Sequence, residues 1–455
     1  MTLRISAFLC ASAVIWCYRW ITAEAQRNAE ITQRRFDVYN RRPDPVTTQT
    51  IAMQIQDTDP IYKFYTSHPF PPPVDGLDRA RDMWQDQNIH HAEYHLLWPH
   101  KPYRADLDVL IAGCGTWQAA KYAICHPAAR VTAIDVSPTS LRHTDAHKQK
   151  YNLTNLETRQ VPIEHAGDLD QCFDFIVCTG VLHHLVDPDA GLRALGSVLR
   201  PDGAMYLMVY APYGRAGVYM IQEYCRRLGI GTSKQEITDL IAVLELLPEF
   251  HPLLASQRGV REFNNDALAD ALLNPRDRSY SVPQLFDYIE RNDLKLGRWY
   301  WQAPYLPQCG SIAITPHAQR LAALPERDQY IQMELWRGLM PNHSVVVHHN
   351  DHEGSNIHFD DEQYLRYIPI RLPWTMCAQD RLPPGAAGVL LNQTHLFQDL
   401  FLLINAQEKQ VYEAIDGRRS IAEIVETVEG SAPIARNYFQ KLWRYDQVIF
   451  DTSTC

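Results

Sequence analysis

The sequence predicts an α/β fold on a seven-stranded sheet, with a helical insertion before the last two strands and a small α+β domain at the C-terminal side. Three observations predict it. From Asp106 to about Thr315, short apolar runs alternate with amphipathic segments, the pattern of βαβ units around a parallel sheet. The stretch from Gly214 to Asp293 has helical periodicity and proline breakers, and it is too long for a plain loop. Beyond a Pro/Gly-rich link at Leu382–Gly388, Leu396 to Phe450 reads as a separate helical block. A chain of 455 residues is long enough for two or three domains of roughly 100–200 residues each.

Four segments follow in order: an N-terminal helix and aromatic, Pro-rich arm over 1–75, the main α/β domain over 76–318, a connecting β-rich segment over 319–388, and a terminal domain over 389–455. In the first, Arg4 precedes an apolar run from Ile5 to Tyr18, and Ala23-Glu24-Ala25 has the small-x-small spacing of a cleavage site. The run is shorter than the roughly 20 residues of a membrane span, and Arg19 and Trp20 interrupt it. No membrane partner is expected, and a retained helix is preferred over a signal peptide at 1–25. Tyr62-Lys63-Phe64-Tyr65, just before the prolines at 69 and 71–73, is expected to pack as an arm on the next domain.

Seven strands are expected at Leu107–Ala112, Val131–Asp135, Leu156–Val161, Phe173–Cys178, Ala204–Tyr210, Leu294–Trp301 and Ser311–Thr315. The first runs into Gly113-Cys114-Gly115-Thr116, after which Gln118 starts a helix. Glycines let backbone approach a ligand closely, and the helix start presents unpaired N–H groups. The second strand ends in Asp135, a carboxylate placed to accept ribose hydroxyls. So far the pattern suits a nicotinamide oxidoreductase equally well.

Two later segments separate these readings: Phe173-Asp174-Phe175-Ile176 continuing to Thr179-Gly180-Val181-Leu182-His183-His184-Leu185, and Leu199-Arg200-Pro201-Asp202-Gly203. With them the stretch 106–315 resembles the class I S-adenosylmethionine-dependent methyltransferase superfamily. The resemblance implies a Rossmann-like sheet, S-adenosyl-L-methionine as cofactor, and methyl transfer to an O, N or C nucleophile of a small molecule or peptide. It further implies that Gly113, Cys114 and Gly115 approach the methionine portion, Asp135 holds the ribose, Val136 flanks the adenine, and Thr179-Gly180 line the floor near the sulfonium. Three positions depart from the family pattern: Ile111 replaces an acid, Trp117 a glycine, and Pro162 an aspartate. Backbone around Pro162 and Ile163, or Gln160, is then left to read adenine, and Trp117 to cover the cofactor. These gaps also keep open a cofactor-binding or peptide-docking scaffold without catalysis.

An acceptor that must lose a proton needs a base. His184 lies just past strand four, where open α/β sheets bind ligands, and imidazole suits the task. Tyr210, Tyr213 and Arg215 follow strand five, and Tyr280 lies in a loop entering a helix. All four are expected to contact the acceptor, with the insertion over 214–293 as a lid.

His343, His348, His349, His352 and His358 lack metal-ligand spacing, and no metal is expected; a polar, partly solvated hairpin is. Ser420 is placed to cap a helix with apolar Ile421, Ile424, Val425 and Val428. This block, about 390–450, resembles the PqqD-like winged-helix fold. That resemblance implies either recognition of an extended peptide or a docking module, a homodimer included. Glu423, Glu426 and Glu429 after the turn, a net charge of −10 and a pI near 6.0 argue against nucleic acid. Ten cysteines without a CxxC pair read as free thiols, which together with a cytosolic cofactor predicts a cytoplasmic protein.

Overall fold

The apolar runs assemble as a single twisted sheet in a computed structural model of the chain, which describes residues 59–256, 265–352 and 357–455. The N-terminal run 5–18 and the motif at 23–25 lie outside the described residues. β1 (Asp108–Ala112), β2 (Arg130–Asp135), β3 (Leu156–Gln160), β4 (Phe173–Thr179), β5 (Leu199–Tyr210), β6 (Leu294–Trp299) and β7 (Asn342–His349) stand in the order β3-β2-β1-β4-β5-β7-β6. The first five pair in parallel. β7 is antiparallel to both neighbours, so β6 runs with the rest. The β1 residues are all buried because the sheet is covered on both faces.

Two expectations about strands are corrected. Ser311–Ile314 is a 3-10 turn, and the seventh strand is instead Asn342–His349, inside the segment read as a connector. The boundary at 318 therefore cuts through the sheet. Composition explains the misplacement: His343, His348 and His349 mark this piece of the β-rich segment as solvated, whereas the strand is buried along most of its length. The expectation of partial solvation fails for three of the five histidines, since the rings of His343, His348 and His349 are buried and bonded, while His358 is exposed. His343 Nδ1 meets the Tyr305 hydroxyl at 2.7 Å and its Nε2 meets Glu334 Oε1 at 3.1 Å. His348 and His349 reach the carbonyls of Gly203 and Leu199 on opposite sides of the strand.

Between β5 and β6, helices Ala216–Leu228, Lys234–Leu244, Pro252–Ser256, Asn265–Leu273 and Val282–Glu290 fill the insertion. The aromatic arm is a helix, Pro60–Ser67, started by Asp59 as its cap, and its Phe64 joins the insertion's apolar core. On the C-terminal side come β8 (Ile368–Arg371), β9 (Thr375–Ala378), β10 (Gly388–Asn392), β11 (Phe401–Ile404), three helices at Ala406–Glu413, Ile421–Thr427 and Ala432–Arg444, and β12 (Val448–Asp451). Ser420 and Glu423 form a reciprocal capping box, as the sequence indicates. β11, β10 and β9 make one small sheet, β12 and β8 another. β12 leaves this block to pack on helix Gln87–Leu97, and Ile449 and Ile370 enter the core beneath β1. Eight cysteines among the described residues are unpaired. Among them, too, no helix is long and apolar enough to cross a membrane.

Candidate active site

The turn after β1 is built for close approach. Gly113 and Gly115 adopt φ of +73° and +57°, a region that costs L-residues energy. A Cβ on Gly113 would fall 2.4 Å from Val181 Cγ2, and one on Gly115 2.7 Å from the carbonyl oxygen of Phe70. Gly180, also at positive φ, ends β4 beside this turn, and a Cβ there would meet only Met208 Cε at 3.5 Å. Cys114 contributes backbone alone, because its thiol is buried near Thr144 and burial pushes its pKa far up.

Asp135 closes the turn from β2. Its Oδ2 accepts the Gly115 N–H at 2.9 Å and its Oδ1 the Ser137 N–H at 2.8 Å. Each oxygen keeps a lone pair for a hydroxyl. Burial pushes the carboxyl pKa up, while the backbone donors of Ser137, Gly115 and Val136 oppose that. The Val136 carbonyl takes the Gln160 amide at 3.0 Å. Pro162 caps the 3-10 helix Ile163–Leu169, whose first N–H groups have no partner within the helix. The Ile163 side chain, however, is committed to the core. Thr179 Oγ1 accepts from Gln118 Nε2 at 2.9 Å, a partner that no motif marks.

Trp117 is tied to the proline arm. Its indole N–H donates to the Pro72 carbonyl at 3.2 Å, and Thr116 Oγ1 donates to the Pro71 carbonyl at 2.6 Å. The two residues after the glycines thus bind the proline arm across the turn.

A second cluster gathers behind Gly180. His183 and His184 lie on a short 3-10 turn, ring centroids 4.2 Å apart, and the His183 ring is 4.0 Å from that of Tyr210. The Arg215 guanidinium sits 3.6 Å from the Tyr210 ring centroid and 3.0 Å from Asp277 Oδ2. From the arm, the Tyr65 hydroxyl donates to Asp270 at 2.7 Å. His184 Nδ1 meets the carbonyl of Arg276 at 2.6 Å, and a carbonyl only accepts, so the proton is on Nδ1 and the lone pair on Nε2. That Nε2, both nitrogens of His183, Arg215 Nε and Asp277 Oδ1 are buried without a protein partner. Burial first, then the neighbouring His184 and Arg215, hold the His183 pKa well below the usual range, so its ring is neutral. Burial likewise raises the Asp270 carboxyl.

Of the predicted acceptor residues, His184, Tyr210 and Arg215 come together here. Tyr213 is 44% exposed and stands outside. Tyr280 is also outside, its ring stacked on Tyr288 at 5.0 Å in the core, because its backbone N–H is tied to the Tyr210 carbonyl. Asp270, Arg276 and Asp277 join the cluster, residues of the insertion for which the sequence carries no spacing signal of a role at the site. One donor atom each from His183, His184 and Asp277 lie within 4.8 Å of one another, a spacing that a cation can bridge. The Arg215 charge on Asp277 opposes one.

Comparison with known proteins agrees with this geometry. Residues 110–207 match the family described as methyltransferase domain. An uncharacterized protein of Synechococcus sp. is 29% identical over 270 residues, 57% of this chain and 61% of that one. The ubiquinone biosynthesis O-methyltransferase of Neisseria meningitidis serogroup C is 28% identical over 141 residues, 29% of this chain and 58% of that one. The chain thus spans about 60% of the length of these relatives. PKMT2 from Rickettsia typhi shares the fold, with a TM-score of 0.58 at 14% identity over 84% of this chain and 76% of that one. Its complex with AdoHcy gives 0.55 at 16% identity over 81% and 76%. The residues that match the methyltransferase-domain family run from β1 into β5 and so contain the glycine turn and Asp135.

Proposed function

We propose that the chain is an S-adenosylmethionine-dependent methyltransferase acting on a small-molecule or peptide nucleophile. One observation carries this reading: buried, unpartnered polar atoms of His183, His184, Arg215 and Asp277 converge next to the Gly113–Gly180 cradle. Unpaired buried polar atoms each cost about 1–3 kcal/mol, which fits a pocket completed by an acceptor. The backbone of the Gly113–Gly115 turn and the open space beside Gly180 would take the cofactor, Asp135 would offer two lone pairs to its ribose, and the backbone at Pro162–Ile163 with Val136 would flank the adenine. The bound cofactor supplies an electrophilic methyl group. His184, its tautomer fixed by the Arg276 carbonyl, takes the acceptor's proton on Nε2. Arg215 stacked on Tyr210 orients the acceptor, and the arm and insertion exclude water.

Calorimetry with S-adenosylmethionine, paired with a search of cell extract for a species that gains the mass of one CH2, tests this reading. Absence of cofactor binding rejects it. Binding without any methylated product favours the scaffold reading, which Ile111 and Pro162 motivate. Nicotinamide binding in place of S-adenosylmethionine would favour the oxidoreductase.

A peptide acceptor is favoured by the C-terminal block. Its strand–helix–helix–helix–strand order suits the PqqD-like winged-helix reading. β11 is an edge strand with Phe401 and Leu403 40% and 45% exposed, a place where an extended peptide can add as a strand.

A further inference from the structure

A cavity of about 270 Å³ lies between the sheet and the C-terminal block. Trp301, Tyr305, Asn342, Ser344, His395 and Phe397 line it. It belongs to the ligand-binding edge of the sheet: Asn342 and Ser344 pair in the ladder with Tyr210 and Met208. Met208 is the residue that faces Gly180.

Two of its walls are backed by buried carboxylates. His395 Nε2 contacts Asp446 Oδ2 at 3.0 Å, and both side chains are at least 98% buried. A carboxylate only accepts, so with one ring proton that proton lies on Nε2 and Nδ1 carries a lone pair. Nδ1 is buried and has no partner. On the other wall, Glu334 draws the ring proton of His343 to Nε2, and the Tyr305 hydroxyl donates to His343 Nδ1. The Tyr305 oxygen is left as an acceptor. Both groups therefore ask for a donor. The charges around them balance, with Glu334, Asp399 and Asp446 set against Arg298, Arg337 and Arg444, so nothing calls for a ligand of net charge. Asn342, Ser344 and Thr394 add short polar side chains at the strand end and the neighbouring loop, the rest of the lining is apolar and aromatic, and a cavity of about 150 Å³ already holds a benzene ring.

We propose that this cavity binds a neutral aromatic ring bearing one O–H donor, a phenol being the simplest member, with the donor on His395 Nδ1. The proposal does not depend on methyl transfer. The site is distinct from the His184 cluster, and an occupant sits beside the methyl-accepting pocket on the same edge of the sheet.

Ligand-observed NMR titration of the full chain with phenol and with toluene tests it. Phenol is expected to bind about tenfold more tightly, the worth of one buried hydrogen bond. His395→Phe should abolish the preference, and Ser344→Leu, which leaves the His395–Asp446 contact alone, should displace both probes by filling the space. Equal affinity for the two probes in the unaltered protein overturns the proposal, whatever the stability of His395→Phe. So does unchanged binding in Ser344→Leu. Loss of phenol binding in His184→Ala would also overturn it, by moving the site to the other cluster. Calorimetry with S-adenosylmethionine on the same samples reports independently on the methyltransferase reading.

Discussion

His184 and Arg276 hold each other reciprocally: the imidazole Nδ1 donates to the Arg276 carbonyl at 2.6 Å, and Arg276 NH1 donates to the His184 carbonyl at 3.1 Å. The imidazole and the loop that orients it are therefore fixed as one unit, with Asp59 of the arm 3.3 Å from the guanidinium. His184→Ala should lower kcat by about 10²–10⁴, the usual contribution of a positioned base. Arg276→Ala keeps the carbonyl and so the tautomer. It should lower kcat by about tenfold, with KM for the cofactor and the midpoint of the pH–rate profile unchanged. A shifted midpoint would show that Arg276 acts on the proton and not on position.

Gly115→Ala places a methyl 2.7 Å from Phe70 O and 2.8 Å from Pro71 Cδ, at a backbone φ of +57°. The arm must lift. Weakened S-adenosylmethionine binding by calorimetry and faster proteolytic cleavage between 59 and 75 are the expected results. Unchanged cleavage would separate the turn from the arm.

Acid should unfold the protein early. Burial holds His183 well below the ordinary histidine range and brings His348 down to about 3. Below the unfolded value near 6.5, the unfolded chain binds protons that the fold refuses, so stability falls with pH from there toward the folded values. Each such group contributes about 1.4 kcal/mol per pH unit. Urea midpoints at pH 7, 6 and 5 measure the slope. His348→Gln, which preserves a donor for the Gly203 carbonyl, should flatten it.

Asp446 joins the sheet to the C-terminal block. It accepts from the backbone N–H groups of Gln302 and Ala303, contacts His395, and lies 3.6 Å from the largely buried Arg298. Asp446→Ala should destabilise by about 3–5 kcal/mol, because Arg298 loses its countercharge. Asp446→Asn should cost less, since asparagine tolerates the φ of +52° and still accepts one bond. Urea denaturation of both variants provides the check.

Much of the α/β half was legible because its determinants are local in sequence. Gly113, Gly115 and Asp135 mark strand ends, and a strand end in a parallel sheet is a position in space as well as in sequence. β7 was not legible as a sheet strand, because its histidines look solvated until Glu334, Gly203 and Leu199, remote in the chain, supply their partners. The same remoteness hid Asp270, Asp277 and Arg276: insertion residues gain meaning only once helix packing brings them to His184 and Arg215. Tyr280 shows the converse. Its neighbours in sequence point to the pocket, yet stacking on Tyr288 decides its direction.

The pairing of β12 with β8, and the seating of Ile449 against helix Gln87–Leu97, also set a schedule for synthesis. Helix 87–97 emerges from the ribosome long before residue 449 exists, and its covered face, with Leu96 and Leu97, must wait for it. The sheet can form while translation continues, but its apolar flank stays open until nearly 360 further residues have been added. For that interval the nascent chain is exposed to aggregation on this one face, and a chaperone that recognises helix 87–97 would guard the part of the protein that closes last.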